Sequence, residues 1–314
     1  MELLSERVLL VTNPAARRAA ALLPVVRRAF RDGGVHCELA PTERPGHAAE
    51  LAAEHSGDYG AVYVLGGDGT VMEVVGALAY SGVPVGIIPG GTGNLVARSL
   101  GIPLDVARAV KALLRGRTTT MDLGVTGVGR HFAFSAGAGV DARMIAETDA
   151  RSKRTFGPAA YALTAIRCAL APRVFRVRAV VDGHVEERDA AAVMVANSGG
   201  VLNDLVSLGP GIRSDDGLLD LCIFSPTGSV QAAAVGWRLF TKRFGEHPAM
   251  FYRAGREFRI ECDPPQIYQA DGERSASSLL RAMTTPFPAA RPEAFITTGT
   301  PRRATARNAS SALV

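Results

Sequence analysis

Up to about residue 126 the chain alternates apolar runs with segments of helical period. RVLLVTNP (7–14) is a continuous apolar run closed by a turn pair, which predicts a buried strand. ARRAAALLPVVRRAFRDGG (16–34) predicts an amphipathic helix stopped by Gly33 and Gly34, and VHCELAP (35–41) a second strand. GHAAELAAEH (46–55) is a short helix, AVYVL (61–65) a third strand, TVMEVVGALAY (70–80) its helix and VPVGIIP (83–89) a fourth strand. Strands that are apolar on both faces and alternate with helices imply a parallel sheet covered on both sides. Beyond 126 the pattern changes to short runs of strand type, HFAFSAG, RVRAVVDG, AAAVMVANSGG, LLDLCIF and EFRIEC, separated by turn residues. Helical periods recur only near 156–171 and 228–244. The expected organisation is an α/β domain over 1–126, an antiparallel β-rich sandwich over 127–300, and an aperiodic tail over 301–314.

Composition narrows this picture. A chain of 314 residues with 47% hydrophobic residues can bury a substantial core in two domains. Its four cysteines are far apart and form no CxxC, so they suggest neither a disulfide framework nor a zinc site, and a reducing compartment is expected. Glu2, Glu6 and Arg7 precede the first apolar run, unlike a signal peptide, and no run approaches the ~18 residues of a membrane span. The expected location is cytoplasmic, peripheral to the inner face of the membrane. A net charge of +5 favours an anionic partner. No recognition motif for nucleic acid accompanies that charge, and no nucleic-acid partner is expected.

The chemistry concentrates in VLGGDGTVMEVV (64–75). Gly66, Gly67 and Gly69 directly follow the third strand, and Thr70 stands where an N-cap is expected. Ligands on parallel sheets sit beyond the C-terminal strand ends, and glycines there let a phosphate approach the backbone. A second cluster after the fourth strand, IIPGGTGNLVARSL, places Gly90, Gly91 and Gly93 in a turn with Thr92 and Asn94 at the next helix entrance. Two adjacent glycine loops suit a polyphosphate lying across both. No GxxxxGK[ST] supplies a neutralising lysine. Asp68, a bare carboxylate in such a loop, then requires Mg²⁺ or its waters between itself and the phosphates.

GGDGT at 66–70, followed by PGGTGNLVARSLGIP at 89–103, resembles the diacylglycerol kinase catalytic-domain family, which includes sphingosine kinases and soluble bacterial lipid kinases. The likeness continues through NP (13–14), DLG (122–124), AGAGVDA (136–142), DDGLLDL (215–221) and ADGE (270–273). It implies a phosphofructokinase- and NAD kinase-like nucleotide domain, a β-rich domain that helps to bind lipid, and ATP with Mg²⁺ in the cleft. By position, Asn13 and Pro14 would close over the nucleotide phosphates and Thr42 would approach the nucleoside. Gly66, Gly67, Asp68, Gly69, Thr70, Val71 and Met72 would form the phosphate loop, with Gly91, Thr92 and Asn94 beside it. Asp122 would join a carboxylate and metal network. Asp216, with the backbones of Arg213 and Leu218, would hold a structural divalent ion. Glu273 matches the family's proton acceptor, with Asp271 the competing candidate.

The implied activity is ATP-dependent phosphorylation of a lipid hydroxyl at the membrane surface, most readily diacylglycerol to phosphatidic acid. Sphingosine-like acceptors, an NAD-kinase-like activity and non-catalytic nucleotide or lipid binding are the alternatives. Departures from the family pattern are Ala15 and Ala16, in place of Ser-Gly after NP, and Leu95, in place of an acid after GTGN. A homodimer is compatible with these patterns. Finally, SVQAAAVGWRLFTKRFG (229–245) combines the chain's single tryptophan with phenylalanines and cations. It is read either as a core helix or as a membrane contact.

Overall fold

The computed structural model describes residues 7–139, 173–201, 205–271, 273–275, 279–284 and 295–297. The helix expected near 156–171 and the tail over 301–314 lie outside them.

The first sheet contains β1 (Arg7–Thr12), β2 (His36–Pro41), β3 (Val62–Gly66), β4 (Val85–Pro89) and β5 (Arg117–Thr119). It is completed by β20 (Phe295–Thr297), and the order is β2-β1-β3-β4-β20-β5. β1 pairs in parallel with both β2 and β3, and β3 with β4, so four adjacent strands point the same way. Helices α1 (Arg17–Asp32), α2 (His47–His55), α3 (Asp68–Ala77), α4 (Leu95–Ser99) and α5 (Val106–Arg115) accompany them. β3 and β4 are buried at every position, which is why their sequences run apolar without alternation. After β1 the chain moves to one side to make β2 and then to the other to make β3. The crevice between the C-terminal ends of β1 and β3 is therefore the topological switch point, where such sheets bind ligands.

The second half is two antiparallel sheets face to face. One comprises β6 (Gly124–Thr126), β7 (His131–Phe132), β9 (Phe175–Val181), β10 (His184–Ala190), β16 (Glu257–Asp263) and β19 (Leu279–Thr284), in the order β10-β9-β16-β19-β6-β7. The other comprises β8 (Ser135–Gly139), β11 (Ala192–Ala196), β14 (Leu219–Phe224), β15 (Met250–Gly255), β17 (Tyr268–Ala270) and β18 (Glu273–Ser275), in the order β15-β14-β11-β8-β17-β18. Val177, Ala179, Phe258 and Ile260 from the first meet Val193, Val195, Leu221 and Ile223 from the second in a shared core. This is the sandwich the sequence predicts.

β11 and β14 are buried on their outer face as well, because α6 (Ser229–Thr241) covers it through Val235 against Met194, Cys222 and Phe224. A short hairpin, β12 (Gly200–Val201) with β13 (Val206–Ser207), touches the same helix. Among the described residues no helix is long and apolar enough to cross a membrane.

Candidate functional site

The two glycine loops are locked edge to edge. Gly90 donates its N–H to Gly66 O at 2.8 Å, and a Cβ added to Gly91 would stand 2.6 Å from Gly67 Cα. No side chain fits that gap. Asn94 takes a left-handed conformation (φ 49°), in which its Oδ1 accepts from Gly91 N and its Nδ2 donates to Gly91 O, both at 2.9 Å. Asparagine is one of the few residues that enter this region at modest cost. Gly91 and Asn94 thus shape the loop, with their polar groups spent on each other, while Thr92 and Gly93 are exposed at its tip. At the first loop, α3 begins at Asp68 with Gly67 as its N-cap. The expectation of Thr70 as N-cap is corrected: Thr70 lies inside the first turn, packed against Gly66. The first-turn N–H groups of α3 have no intrahelical acceptor and form the positive end of that helix, the property a phosphate requires.

Asp68 reaches across to the second loop. Its Oδ1 accepts the N–H of Leu95 at 2.5 Å, so the carboxylate bridges the first loop to the start of α4. Burial pushes its pKa up, and the backbone N–H groups of residues 94–96 oppose that shift. A Cβ on Gly93 would lie 2.7 Å from Asp68 Oδ2. Leu95 contributes a backbone N–H that any residue but proline would offer, so its departure from the family pattern leaves this contact intact.

The second domain brings its own carboxylates to the same region. The chain crosses from β7 to β8 at Ala133–Ser135, and Asp271, one residue past β17, grips that corner. Its carboxylate accepts the N–H groups of Ala133 (2.6 Å), Phe134 (2.9 Å) and Ser135 (2.9 Å), and its own N–H returns to Ser135 O. Asp271 holds a left-handed backbone (φ 48°) to do so. Burial raises its pKa to about 6; the three N–H groups pull it down and the charge of Asp68 adds to the rise. The charge of Asp68 therefore reaches Asp271 across the boundary between the domains.

Asn197, one residue past β11, holds the other side of the corner. Its N–H donates to Phe134 O, and its Nδ2 donates to Ala133 O (2.9 Å) and to Asp122 O (2.6 Å). Its Oδ1 is buried with no hydrogen-bond partner among the described residues. Asp122 in turn accepts Gly217 N at 2.7 Å and donates its own N–H to Ser214 O. In this turn Asp216 Oδ1 accepts Leu218 N at 3.1 Å, and Arg213 pairs with Asp215. Burial raises the pKa of Asp122, with Asp216 and Asp215 adding to the rise. One polar chain thus runs from Asp271 through the corner and Asn197 to Asp122 and the Asp216 turn. Asp271, Asp122 and Asp216 are legible in the sequence as site candidates; Asn197 is not. The available signal is its place, the first polar residue after a fully buried strand on the edge facing the glycine loops.

The remaining predicted residues fall as follows. Asn13 follows β1, and its Oδ1 accepts Ala15 N, so an Asx turn shapes the segment that includes Pro14 without the Ser-Gly of the family pattern. Thr42 is buried, with its N–H on Thr12 O, at the end of β2. Val71 and Met72 are core residues of α3 and can offer a ligand little but backbone. Glu73, on the same helix, accepts Gly46 N and Ala48 N and so ties the entrance of α2 to α3. Glu273 begins β18, paired with Ala270; its side chain lies outside the described residues.

No group of three acidic, histidine or cysteine side chains forms a cage among the described residues. The donor set fits Mg²⁺ in its usual enzymatic mode, in which one or two carboxylates and substrate phosphates share the ion. Asp68 is the carboxylate whose negative charge reaches Asp271 and which a nearby cation would offset.

Comparison with known proteins agrees with this organisation. The model for the diacylglycerol kinase catalytic domain matches residues 7–126, and that for the YegS C-terminal NAD kinase beta sandwich-like domain matches residues 134–294. An uncharacterized protein of Synechocystis is 30% identical over 71% of this chain, which spans about half (52%) of that relative's length. The diacylglycerol kinase of Staphylococcus carnosus is 26% identical over 85% of this chain and 89% of its own. The crystal structure of a diacylglycerol kinase from Bacillus anthracis superposes with a TM-score of 0.72 at 26% identity, covering 95% of this chain and 98% of that one.

Proposed function

Because the chain belongs to the diacylglycerol kinase catalytic-domain family, we propose that it transfers the γ-phosphoryl group of ATP to the hydroxyl of diacylglycerol. The observation that carries this reading is the pairing of two interlocked glycine loops at the switch point with a carboxylate, Asp68, held among them and coupled to Asp271 of the second domain. Phosphoryl transfer needs little covalent help from the protein, so positioning and charge compensation dominate.

In this reading the first-turn amides of α3 and the exposed tip at Thr92 and Gly93 receive the phosphates, and Asn13 closes over them. Asp68 is the residue that would hold Mg²⁺, which when bound would supply charge neutralisation on the transferred group. The acceptor oxygen bonds to the γ-phosphorus as the bond to ADP breaks, and its proton passes to Glu273. Asp271 is a poorer base because its oxygens already accept three N–H groups. It serves instead as a positioning residue for the corner from which β17 and β18 present Glu273. Asp216, with the Arg213 and Leu218 backbones, would hold a divalent ion, whose charge would stiffen the turn against Asp122. The protein works as a peripheral enzyme on the cytoplasmic face of a membrane.

The test is a transfer assay with radiolabelled ATP and Mg²⁺, offering diacylglycerol, sphingosine and NAD in separate reactions. Labelled phosphatidic acid is the expected product. Label on NAD alone would favour the activity suggested by the sandwich domain's description. No product from any acceptor, despite nucleotide binding, would make the chain a binding protein on this scaffold.

A further inference from the structure

Helix α6 is apolar on the side that packs and on the side that does not. Ala232 and Val235 face the sandwich. On the opposite face Val230 is 85% exposed, Trp237 61% and Phe240 44%, with exposed Ala233 and Ala234 between them. The spacing 230, 233, 234, 237, 240 is one continuous stripe of a helix. The Trp237 and Phe240 rings lie side by side, with centroids 5.7 Å apart. A surface helix normally turns charged residues outward, so an uncovered aromatic stripe marks a surface that something else covers.

Charge identifies the occupant. The stripe ends at exposed Lys242 and Arg243, and half-buried Arg238 donates to Arg243 O and Gly245 O, holding the basic end against the helix terminus. No acidic residue occurs from Ser229 to Gly245. Tryptophan and phenylalanine beside cations match the boundary between acyl chains and anionic headgroups, where the ring finds an apolar medium and the cations find phosphates. The same outer layer carries Ile212, the residue before the Arg213–Leu218 turn that meets Asp122. The docking face and the proposed reaction cleft are thus linked by one packed segment.

We propose that the outer face of α6, centred on Trp237 and Phe240 with Lys242 and Arg243, docks the protein onto an anionic lipid bilayer. This rests on the lipid-kinase reading for its purpose, but its test does not depend on activity. Trp237 is the chain's single tryptophan, so its fluorescence reports this face alone. With vesicles of phosphatidylglycerol and phosphatidylcholine, emission is expected to move to shorter wavelength and to be quenched by lipids brominated in the acyl chain. Vesicles of phosphatidylcholine alone should produce little of either effect. Lys242→Glu with Arg243→Glu should weaken binding to the anionic vesicles at least ~10-fold. Phe240→Ser should weaken it with the charges intact. Thermal melting, and activity on short-chain diacylglycerol in detergent, should be unchanged in both variants.

A blue shift that grows with protein concentration in the absence of lipid would assign the face to a second copy of the chain and overturn the proposal. So would an emission spectrum unmoved by every vesicle. If the short-chain substrate is phosphorylated but the tryptophan ignores vesicles, docking fails while the kinase reading stands. If the tryptophan enters anionic vesicles and no acceptor is phosphorylated, docking stands and the kinase reading fails.

Discussion

Gly91 and Gly67 meet backbone to backbone, and the contact is asymmetric: a Cβ on Gly91 would fall 2.6 Å from Gly67 Cα, whereas one on Gly67 would sit 3.5 Å from Gly91 Cα. The first distance forces the loops apart; the second is ordinary contact. Gly91→Ala should therefore destabilise the protein by about 1–3 kcal/mol through overpacking, and should weaken nucleotide binding as the loops separate. Gly67→Ala should leave the melting temperature nearly unchanged. Equal melting temperatures for the two variants would show that the loops are not locked.

Asp68→Asn keeps an oxygen to accept Leu95 N and removes only the charge. Turnover should fall by about 10²–10³-fold, the scale of losing one preorganised electrostatic partner. The melting temperature should change little. Wild-type turnover of Asp68→Asn at saturating Mg²⁺ would remove Asp68 from the site.

Glu273→Gln and Asp271→Ala should separate chemistry from architecture. The first should lower kcat with an unchanged nucleotide dissociation constant, as expected for a base used only in the chemical step. The second strands three part-buried N–H groups, each costing up to about 1–3 kcal/mol, so it should first appear as loss of folded protein. A well-folded Asp271→Ala with a selective kcat defect would reverse the two assignments.

The Asp271 carboxyl, raised to about 6 by burial, should titrate far above its unfolded value of about 3.9. A carboxyl raised on folding binds its proton more tightly in the native state. Its contribution to stability is full below about pH 4 and is lost as pH rises through about 6. Carboxyl carbon shifts of labelled protein report the midpoint directly. In Asp68→Asn that midpoint should move down, because one negative neighbour is gone. An unmoved midpoint would show that the two carboxylates are not coupled.

Chelation addresses the Asp216 turn. In the absence of nucleotide, EDTA should lower the melting temperature of the wild type but not of Asp216→Asn, since a bound ion stabilises only the form that holds it. If neither protein responds, the turn is held without an ion, by protein contacts such as Gly217 N to Asp122, Leu218 N to Asp216 and the Arg213–Asp215 pair.

The parallel sheet, its two glycine loops and the change to a sandwich after 126 were legible because apolar runs and glycine clusters act locally. The N-terminus of α3 was not: Gly67 caps it without a side chain, so the preference for threonine at such positions pointed three residues too far. The role of Asn94 was hidden for a similar reason, since its amide turns back onto Gly91 instead of outward. Asn197 was missed because its partners, Ala133 and Asp122, are 64 and 75 residues away and are met through backbone oxygens, which leave no side-chain spacing to read. Whether Trp237 faces the core or the outside could not follow from a helix apolar on both sides, and only the packing of Val235 against the sandwich decides it.

β20 has a consequence for how the protein is made. It lies between β4 and β5, so among the described residues β5 joins the first sheet through a strand some 175 residues further along the chain. During synthesis the first domain emerges first, yet β4 keeps an unpaired flank until residue 297 has left the ribosome. For most of translation that flank is an open edge able to recruit another strand. A messenger truncated after the first domain would encode a sheet with a permanent sticky side. The two halves are therefore expected to reach solubility together, as one unit of biosynthesis.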